Sequence, residues 1–168
     1  MKIESMEDLL VHELQDLRSA ETQLVEALPK MAQAASAASL KKAFDAHLKQ
    51  TKTQITRLDK ALEHMGKGPG NIKCKGMEGL VKEGDEAIKD VTDPQTLDAA
   101  LIGAAQRVEH YEIAGYGTAR AHAEELGLMD IADLLQVTLD EEGETNKLLT
   151  QLAEGRMTSG VNERAAVR

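Results

Sequence analysis

The sequence predicts an all-α protein built as a bundle of long helices. Hydrophobic residues make up 42% of the 168 residues, but aromatic residues only 2%, and there are three prolines. The apolar residues are therefore mostly small or aliphatic; Ala and Leu favour helices, and β-branched residues are sparse in the long segments. In each long segment, apolar residues recur at steps of three and four, as they do on the buried face of a helix.

The first helix is predicted over about residues 5–35, behind a capping box at residues 5–8. Its buried stripe consists of Leu10, Leu14, Leu17, Glu21, Leu24, Leu28 and Met31. Pro29 lies inside this pattern, and we expect one helix with a kink because proline removes a backbone donor.

The second helix is predicted over about residues 37–65, before a glycine-rich break at residues 66–71. Its stripe consists of Leu40, Phe44, His47, Thr51, Ile55, Leu58 and Leu62. A weaker apolar pattern over residues 74–89 predicts a short helix that crosses over the bundle. Residues 92–94 then cap the third long helix.

The third long helix is expected to end near Gly127, and the fourth to run over about residues 129–153. The third stripe consists of Leu97, Leu101, Ala104, Val108, Glu112, Gly115 and Ala119. The fourth consists of Ile131, Leu134, Thr138, Glu141, Thr145, Leu148 and Leu152. We therefore expect a bundle domain over residues 1–154 and a mobile tail over residues 155–168. Two helical hairpins joined by a long crossover predict a ferritin-like four-helix bundle.

Each stripe is interrupted near its middle by polar residues: Glu21, His47 and Thr51, Glu112, and Glu141. Antiparallel helices of similar length bring their middles to one level, so these side chains are expected to converge inside the bundle. Glu109 lies one turn before Glu112. Buried carboxylates need a cation or strong hydrogen bonds, and a carboxylate-rich pocket suits iron or manganese.

Residues 47–54 align without gaps on residues 138–145, which pairs Gln50 with Glu141 and Thr53 with Glu144. In ferritin-like di-iron sites the even helices carry Glu-x-x-His, and neither histidine is present here. Glu144 occupies the place of one missing histidine, although its charged surroundings favour a solvent-exposed position.

Five segments resemble the YciF/YciE family of ferritin-like bacterial stress proteins: residues 19–24, 43–48, 77–80, 108–118 and 138–142. The similarity extends to about residue 154, and the tyrosine–glutamate block in residues 108–118 is its most specific part. The resemblance implies a homodimer, induction under stress and a candidate di-metal site, with about two ions per chain.

By resemblance, the candidate ligands are Glu21, Glu109, Glu112, Glu141 and Glu142. Gln50 departs from the family, whose members carry glutamate there, and Gln54 lies one turn later, where it can orient a ligand. Glu21 and Glu112 can instead be satisfied by Tyr or Thr hydroxyls or reach solvent at the edge of the stripe. Glu141 and Glu142 are adjacent, about 100° apart on the helix, so one can point inward while the other faces water. His47 is more often a satisfied core histidine than a ligand.

The net charge of −9 is spread along the chain and disfavours binding to nucleic acid or an anionic membrane. The sequence shows neither a signal-peptide core nor an apolar run of spanning length, so we expect a cytoplasmic protein. Cys74 is the single cysteine and cannot form an internal disulfide.

Two functional hypotheses stay open. One is a di-iron-type oxidoreductase that handles oxygen or peroxide, and the other is a non-catalytic stress protein whose metal or acidic cluster only stabilises a dimer. Iron storage ranks last, because nothing in the sequence indicates assembly into a cage.

Overall fold

The computed structural model describes the backbone of residues 2–166 and the side chains of residues 2–155. Over these residues it contains five helices and no strand: α1 (Met6–Ala34), α2 (Ala38–His64), α3 (Lys75–Asp90), α4 (Pro94–Glu125) and α5 (Met129–Ala166). The all-α prediction is confirmed. In the same part of the chain, no helix combines the length and apolar character that a bilayer crossing requires.

Helices α1 and α2 form one hairpin, and α4 and α5 form the other. The hairpins pack together through α1 against α4 and α2 against α5, while the crossover helix α3 covers α1 and α4. This is the predicted pair of hairpins with a short helix in the long crossover. Helix α1 continues through Pro29, as expected for a single helix.

The helix ends have local causes that the sequence shows. Ser5 Oγ accepts from the backbone N–H of Asp8 at 3.0 Å, and Asp93 accepts from that of Thr96 at 2.8 Å. The turn between α4 and α5 contains Gly127 at φ +71°, a conformation that favours glycine.

The start of α2 has no side-chain cap of its own. Asp98, which is fully buried on α4, accepts instead from the backbone N–H groups of Ser36 and Ala37 at 2.7 and 2.9 Å. This contact ties the second hairpin to the loop of the first.

The apolar core is divided in two. The Phe44 cluster includes Leu24, Leu28, Phe44 and Leu101, and the Leu58 cluster includes Leu10, Leu14, Leu58 and Ile131. Along each long helix the two clusters are separated by buried polar residues. We call seven of them the polar layer: Glu21, His47, Thr51, Gln54, Glu109, Glu112 and Glu142.

The predicted stripe of α5 is wrong by one position over much of its length. Leu135, Glu142 and Leu149 are buried, whereas Leu148 is 42% exposed. Two neighbouring rows of a helix both follow steps of three and four, and the adjacent pairs in this sequence are both apolar or both acidic. Packing against α2 and α4 buries the row that contains Leu135, Glu142 and Leu149.

The helix predicted to end near residue 153 continues to Ala166. The side chains of residues 156–168, which form most of the predicted mobile tail 155–168, lie outside the described residues. The domain boundary at residue 154 therefore stays a prediction.

Candidate metal centre

All four long helices contribute to the polar layer. Glu21 comes from α1, His47, Thr51 and Gln54 from α2, Glu109 and Glu112 from α4, and Glu142 from α5. Their side chains fall at one level because the helices of each contacting pair run in opposite directions. None of the seven residues is more than 3% exposed.

His47, Glu109, Glu112 and Glu142 form a group that can hold a cation. Each offers one ligand atom, and these four atoms all lie within 4.8 Å of one another. His47 Nε2 is 3.2 Å from Glu109 Oε1 and 3.9 Å from Glu142 Oε2. Ligand atoms about 2.0–2.3 Å from a shared ion have similar mutual separations. One imidazole and three carboxylates match the donors that iron or manganese accepts.

Glu21 extends this group toward α1. Its Oε1 accepts a hydrogen bond from the Tyr116 hydroxyl, while Oε2 is buried and has no hydrogen-bond partner. Burial is the main cause that raises the pKa of Glu21, and repulsion by Glu142 adds to it; burial and then repulsion by Glu21 raise the pKa of Glu112. Glu21 is therefore electrostatically coupled to Glu112 and Glu142.

Several oxygens of the polar layer are buried without a hydrogen-bond partner. Among the carboxylates they are both oxygens of Glu112 and one oxygen each of Glu21, Glu109 and Glu142. Buried polar atoms are normally paired, and an uncompensated buried carboxylate strongly destabilises a fold. The unpaired oxygens converge from different helices, so the residues present fit a metal centre.

The protonation states follow from burial. Desolvation, together with repulsion by neighbouring carboxylates, raises the pKa of Glu112 and of Glu109 well above the usual value. Burial raises the pKa of Glu142 to about 7 and lowers the pKa of His47 to about 4. His47 is thus a neutral imidazole at neutral pH, the form that binds metals, and its contact with Glu109 is not an ion pair.

A second set of side chains surrounds Glu142. Gln54 Nε2 donates to Glu142 Oε1 at 2.5 Å and to Glu141 Oε2 at 3.1 Å. Arg57 donates to both oxygens of Glu141, at 2.6 and 2.8 Å, and to Thr138 Oγ1 at 3.2 Å. Glu141 is 25% exposed and already paired.

The structure therefore divides the sequence-predicted candidates into two sets. Glu21, Glu109, Glu112 and Glu142 meet in the polar layer, where Gln54 orients Glu142. The other three candidates lie outside it. Glu141 pairs with Arg57, and Gln50 is half-buried beside His47. Glu144 is 72% exposed and contacts Lys147 at 2.7 Å.

The structure brings His47, which the sequence favoured as a core histidine, into the candidate group, and sequence reasoning did not identify Arg57. The signal for His47 was present, because it occupies a mid-helix stripe position at the level of the predicted carboxylates. Nothing local marks Arg57, since its partner Glu141 lies 84 residues away in the chain.

Comparison with known proteins identifies the relatives of this chain. A family described as a domain of unknown function (DUF892) matches residues 5–166. Protein YciF of Escherichia coli K12 is 45% identical over 166 residues, which are 98% of each chain. The crystal structure of this stress protein aligns with a TM-score of 0.90 over 93% of this chain and 99% of that one.

Two further solved structures extend the comparison. YcfI of Rhodopseudomonas palustris, provisionally described as a structural protein, is 45% identical with a TM-score of 0.86, covering 89% of this chain and 95% of that one. A ferritin-like diiron-carboxylate protein of Bacillus anthracis str. Ames is 16% identical with a TM-score of 0.71, covering 90% of this chain and 99% of that one, and it supports the fold alone. The chain therefore belongs to the DUF892 family and has the ferritin-like fold, which confirms its resemblance to YciF.

Proposed function

We propose that this protein is a stress-response protein whose polar layer holds two iron or manganese ions and reacts with peroxide or oxygen. The observation that carries the metal centre is Glu112, which has both carboxylate oxygens buried and without a partner in the middle of the bundle. A protein retains such a group at a cost to stability, and a bound cation offsets that cost.

Charge supports two ions. Glu21, Glu109, Glu112 and Glu142 bring four carboxylates to one level. His47 is neutral there, and Arg57 is engaged by Glu141. Two divalent cations would balance the four carboxylates. His47, Glu109, Glu112 and Glu142 would hold one ion, and Glu21 would join Glu112 and Glu142 at the other.

Iron or manganese would supply the change of oxidation state in a reaction with peroxide. The chain's own residues position and protect the ions. Tyr116 fixes one oxygen of Glu21 and leaves the other free, and Gln54 does the same for Glu142. The Leu58 and Phe44 clusters close the layer from both ends, which keeps water away from the ligands.

A second candidate function is structural. The polar layer is at most 3% exposed, so it shows no open path for a substrate. On this hypothesis the metal only stabilises the fold or a dimer, in keeping with the provisional structural description of YcfI.

The homodimer and the cytoplasmic location remain predictions, as does the absence of nucleic-acid or membrane partners. Ala114 and Ala121 are exposed on α4, where small side chains would allow another helix to approach closely.

One experiment separates the two functions. The metal-free protein is loaded anaerobically with ferrous iron, the iron per chain is measured, and hydrogen peroxide is then added while the absorption spectrum is recorded. The di-metal oxidoreductase predicts about two irons and a new absorption band that decays with turnover. Iron that raises the melting temperature but gives no peroxide response would favour the structural function.

A further inference from the structure

The polar layer is closed to solvent, so a cation can reach it only if a side chain moves. At the interface between α2 and α5, Glu141 accepts a hydrogen bond from Gln54 of the layer and pairs with Arg57, and the side chains of Arg57 and Glu141 are 18% and 25% exposed. Both are more accessible than any residue of the layer itself.

Arg57 occupies the place where a cation would bind Glu141. Its two terminal nitrogens contact the two carboxylate oxygens at 2.6 and 2.8 Å. This forked arrangement uses both oxygens of the carboxylate, and a divalent ion would need the same atoms. As long as the pair persists, Glu141 is not free to take a cation from solvent.

Glu141 is directly connected to the buried ligands. The Gln54 amide nitrogen donates both to Glu141 Oε2, at 3.1 Å, and to Glu142 Oε1, at 2.5 Å. One amide group therefore separates the partly exposed carboxylate from the buried one. A cation held by Glu141 would be one short step from Glu142.

Unpaired oxygens mark the remaining step. Gln54 Oε1 and Thr51 Oγ1 are buried and lack hydrogen-bond partners, and both residues are fully buried on α2. Thr51 lies one turn from Gln54 on the side toward His47. These neutral oxygens can accept a cation briefly without binding it tightly.

We propose that Arg57 gates cation uptake and that Glu141 is the first, transient ligand of an incoming divalent ion. When Arg57 swings toward solvent, Glu141 binds the ion and passes it by way of Gln54 to Glu142. The gate rests on the proposed metal centre, but it makes a separate claim about the route into it.

The test measures the rate at which metal-free protein takes up Co²⁺, used as a spectroscopic stand-in for ferrous iron, by stopped-flow absorbance. In Arg57→Gln the gate is open, and we expect uptake about tenfold faster, equivalent to a barrier lower by about 1.4 kcal/mol. Glu141→Gln removes the transient ligand and leaves the positive charge of Arg57, which also donates to Thr138, without a carboxylate partner, so uptake should be about tenfold slower. Neither variant should change the final cobalt content.

A matched control is Asp59→Asn, which breaks another partly buried arginine–carboxylate pair, Arg18–Asp59 at 2.5 Å, and should leave the rate unchanged. Circular dichroism checks that each variant is folded. If Arg57→Gln does not fold, Arg57→Lys, which keeps the charge but loses the fork, should still take up cobalt faster.

The outcomes are distinct. Full cobalt content at an unchanged rate in Arg57→Gln would overturn the gate and leave the metal centre intact. Loss of bound cobalt in Glu141→Gln would also overturn the gate, because it would make Glu141 a permanent ligand. A wild-type protein that binds no cobalt would overturn both the gate and the metal centre.

Discussion

The Leu58 cluster and the polar layer lie next to each other on the same four helices, but their buried atoms have different partners. Leu58 and Leu10 are 0% exposed and pack in an apolar cluster. Glu112 is equally buried, and both of its carboxylate oxygens lack a hydrogen-bond partner. Apolar burial stabilises a fold, whereas burial of an unpaired carboxylate destabilises it. The comparison indicates that the clusters hold the bundle together, whereas the polar layer costs stability, as the proposed metal centre would require.

The largest expected effect is in the apolar region. Leu58→Ala should lower the free energy of unfolding by about 2–5 kcal/mol, because it removes buried methyl groups and leaves a cavity. Urea unfolding with and without metal measures the change, which should be similar in both states. A loss below about 0.5 kcal/mol would show that the Leu58 cluster does not carry the stability assigned to it.

In the polar layer, a substitution is expected to raise the free energy of unfolding instead of lowering it. In metal-free protein, Glu112→Leu should raise the free energy of unfolding by about 1–4 kcal/mol, because it replaces an uncompensated carboxyl group with an apolar side chain. Urea unfolding in a chelator measures the gain. Glu144→Gln, at an exposed position, is the matched control and should change stability by less than about 0.5 kcal/mol. A loss comparable to that of Leu58→Ala would contradict the comparison.

The pH dependence of the stability of metal-free protein also distinguishes the polar layer from the apolar clusters. The folded state raises the pKa of Glu142 from 4.5 to about 7, and it raises those of Glu21, Glu109 and Glu112 as well. Folded protein therefore holds protons that unfolded protein has released. The contribution of these carboxyl groups to stability is complete below their pKa in the unfolded chain. It is lost as the pH rises through their pKa in the folded protein.

His47 changes the pH dependence of stability with the opposite sign, but in a lower pH range. Its pKa falls from 6.5 to about 4 on folding, so its stabilisation is lost only as the pH drops below about 6.5. Between about pH 6.5 and 8 the carboxyl groups dominate, and metal-free protein should become less stable as the pH rises. Metal-loaded protein should show the reverse trend, since protons compete with the ions. Thermal melting at both pH values checks this, and matching trends in the two states would count against a metal in the layer.

The smallest effect concerns the departure from the family pattern. Gln50→Glu adds a carboxylate beside His47 and should tighten metal binding by about tenfold, the lower end of the range for residues that surround metal ligands. Competition with a chromogenic chelator measures the affinity, with Glu144→Gln again as the control. An unchanged affinity would place residue 50 outside the influence of the site.

The sequence was most informative where one row of a helix is clearly apolar. All seven stripe residues predicted for α1 are buried, including Glu21. In α5 the neighbouring pairs Leu134–Leu135, Glu141–Glu142 and Leu148–Leu149 offer two rows of the same character. Which row faces inward depends on contacts with α2 and α4, and local periodicity cannot decide that.

Local sequence patterns could likewise not predict which side chains pair with the buried polar groups. Glu21 and Glu112 were predictable because each interrupts an apolar stripe, and Glu109 because it lies one turn before Glu112, whereas Glu142 was a candidate only through the resemblance. Their relation to His47, Arg57 and Tyr116 depends on which helices pack together and at what register. Asp98, which caps α2 from α4, is a similar case, because its partners lie about 60 residues earlier in the chain.

The most direct test of the metal centre is calorimetric titration of metal-free protein with ferrous iron or Mn²⁺ under anaerobic conditions. The wild type and Glu144→Gln should each bind about two ions per chain, and Glu112→Gln should lose at least one, because Glu112 contributes the two unpaired oxygens at the centre of the layer. Equal binding by Glu112→Gln and the wild type, or no binding by the wild type, would contradict the account.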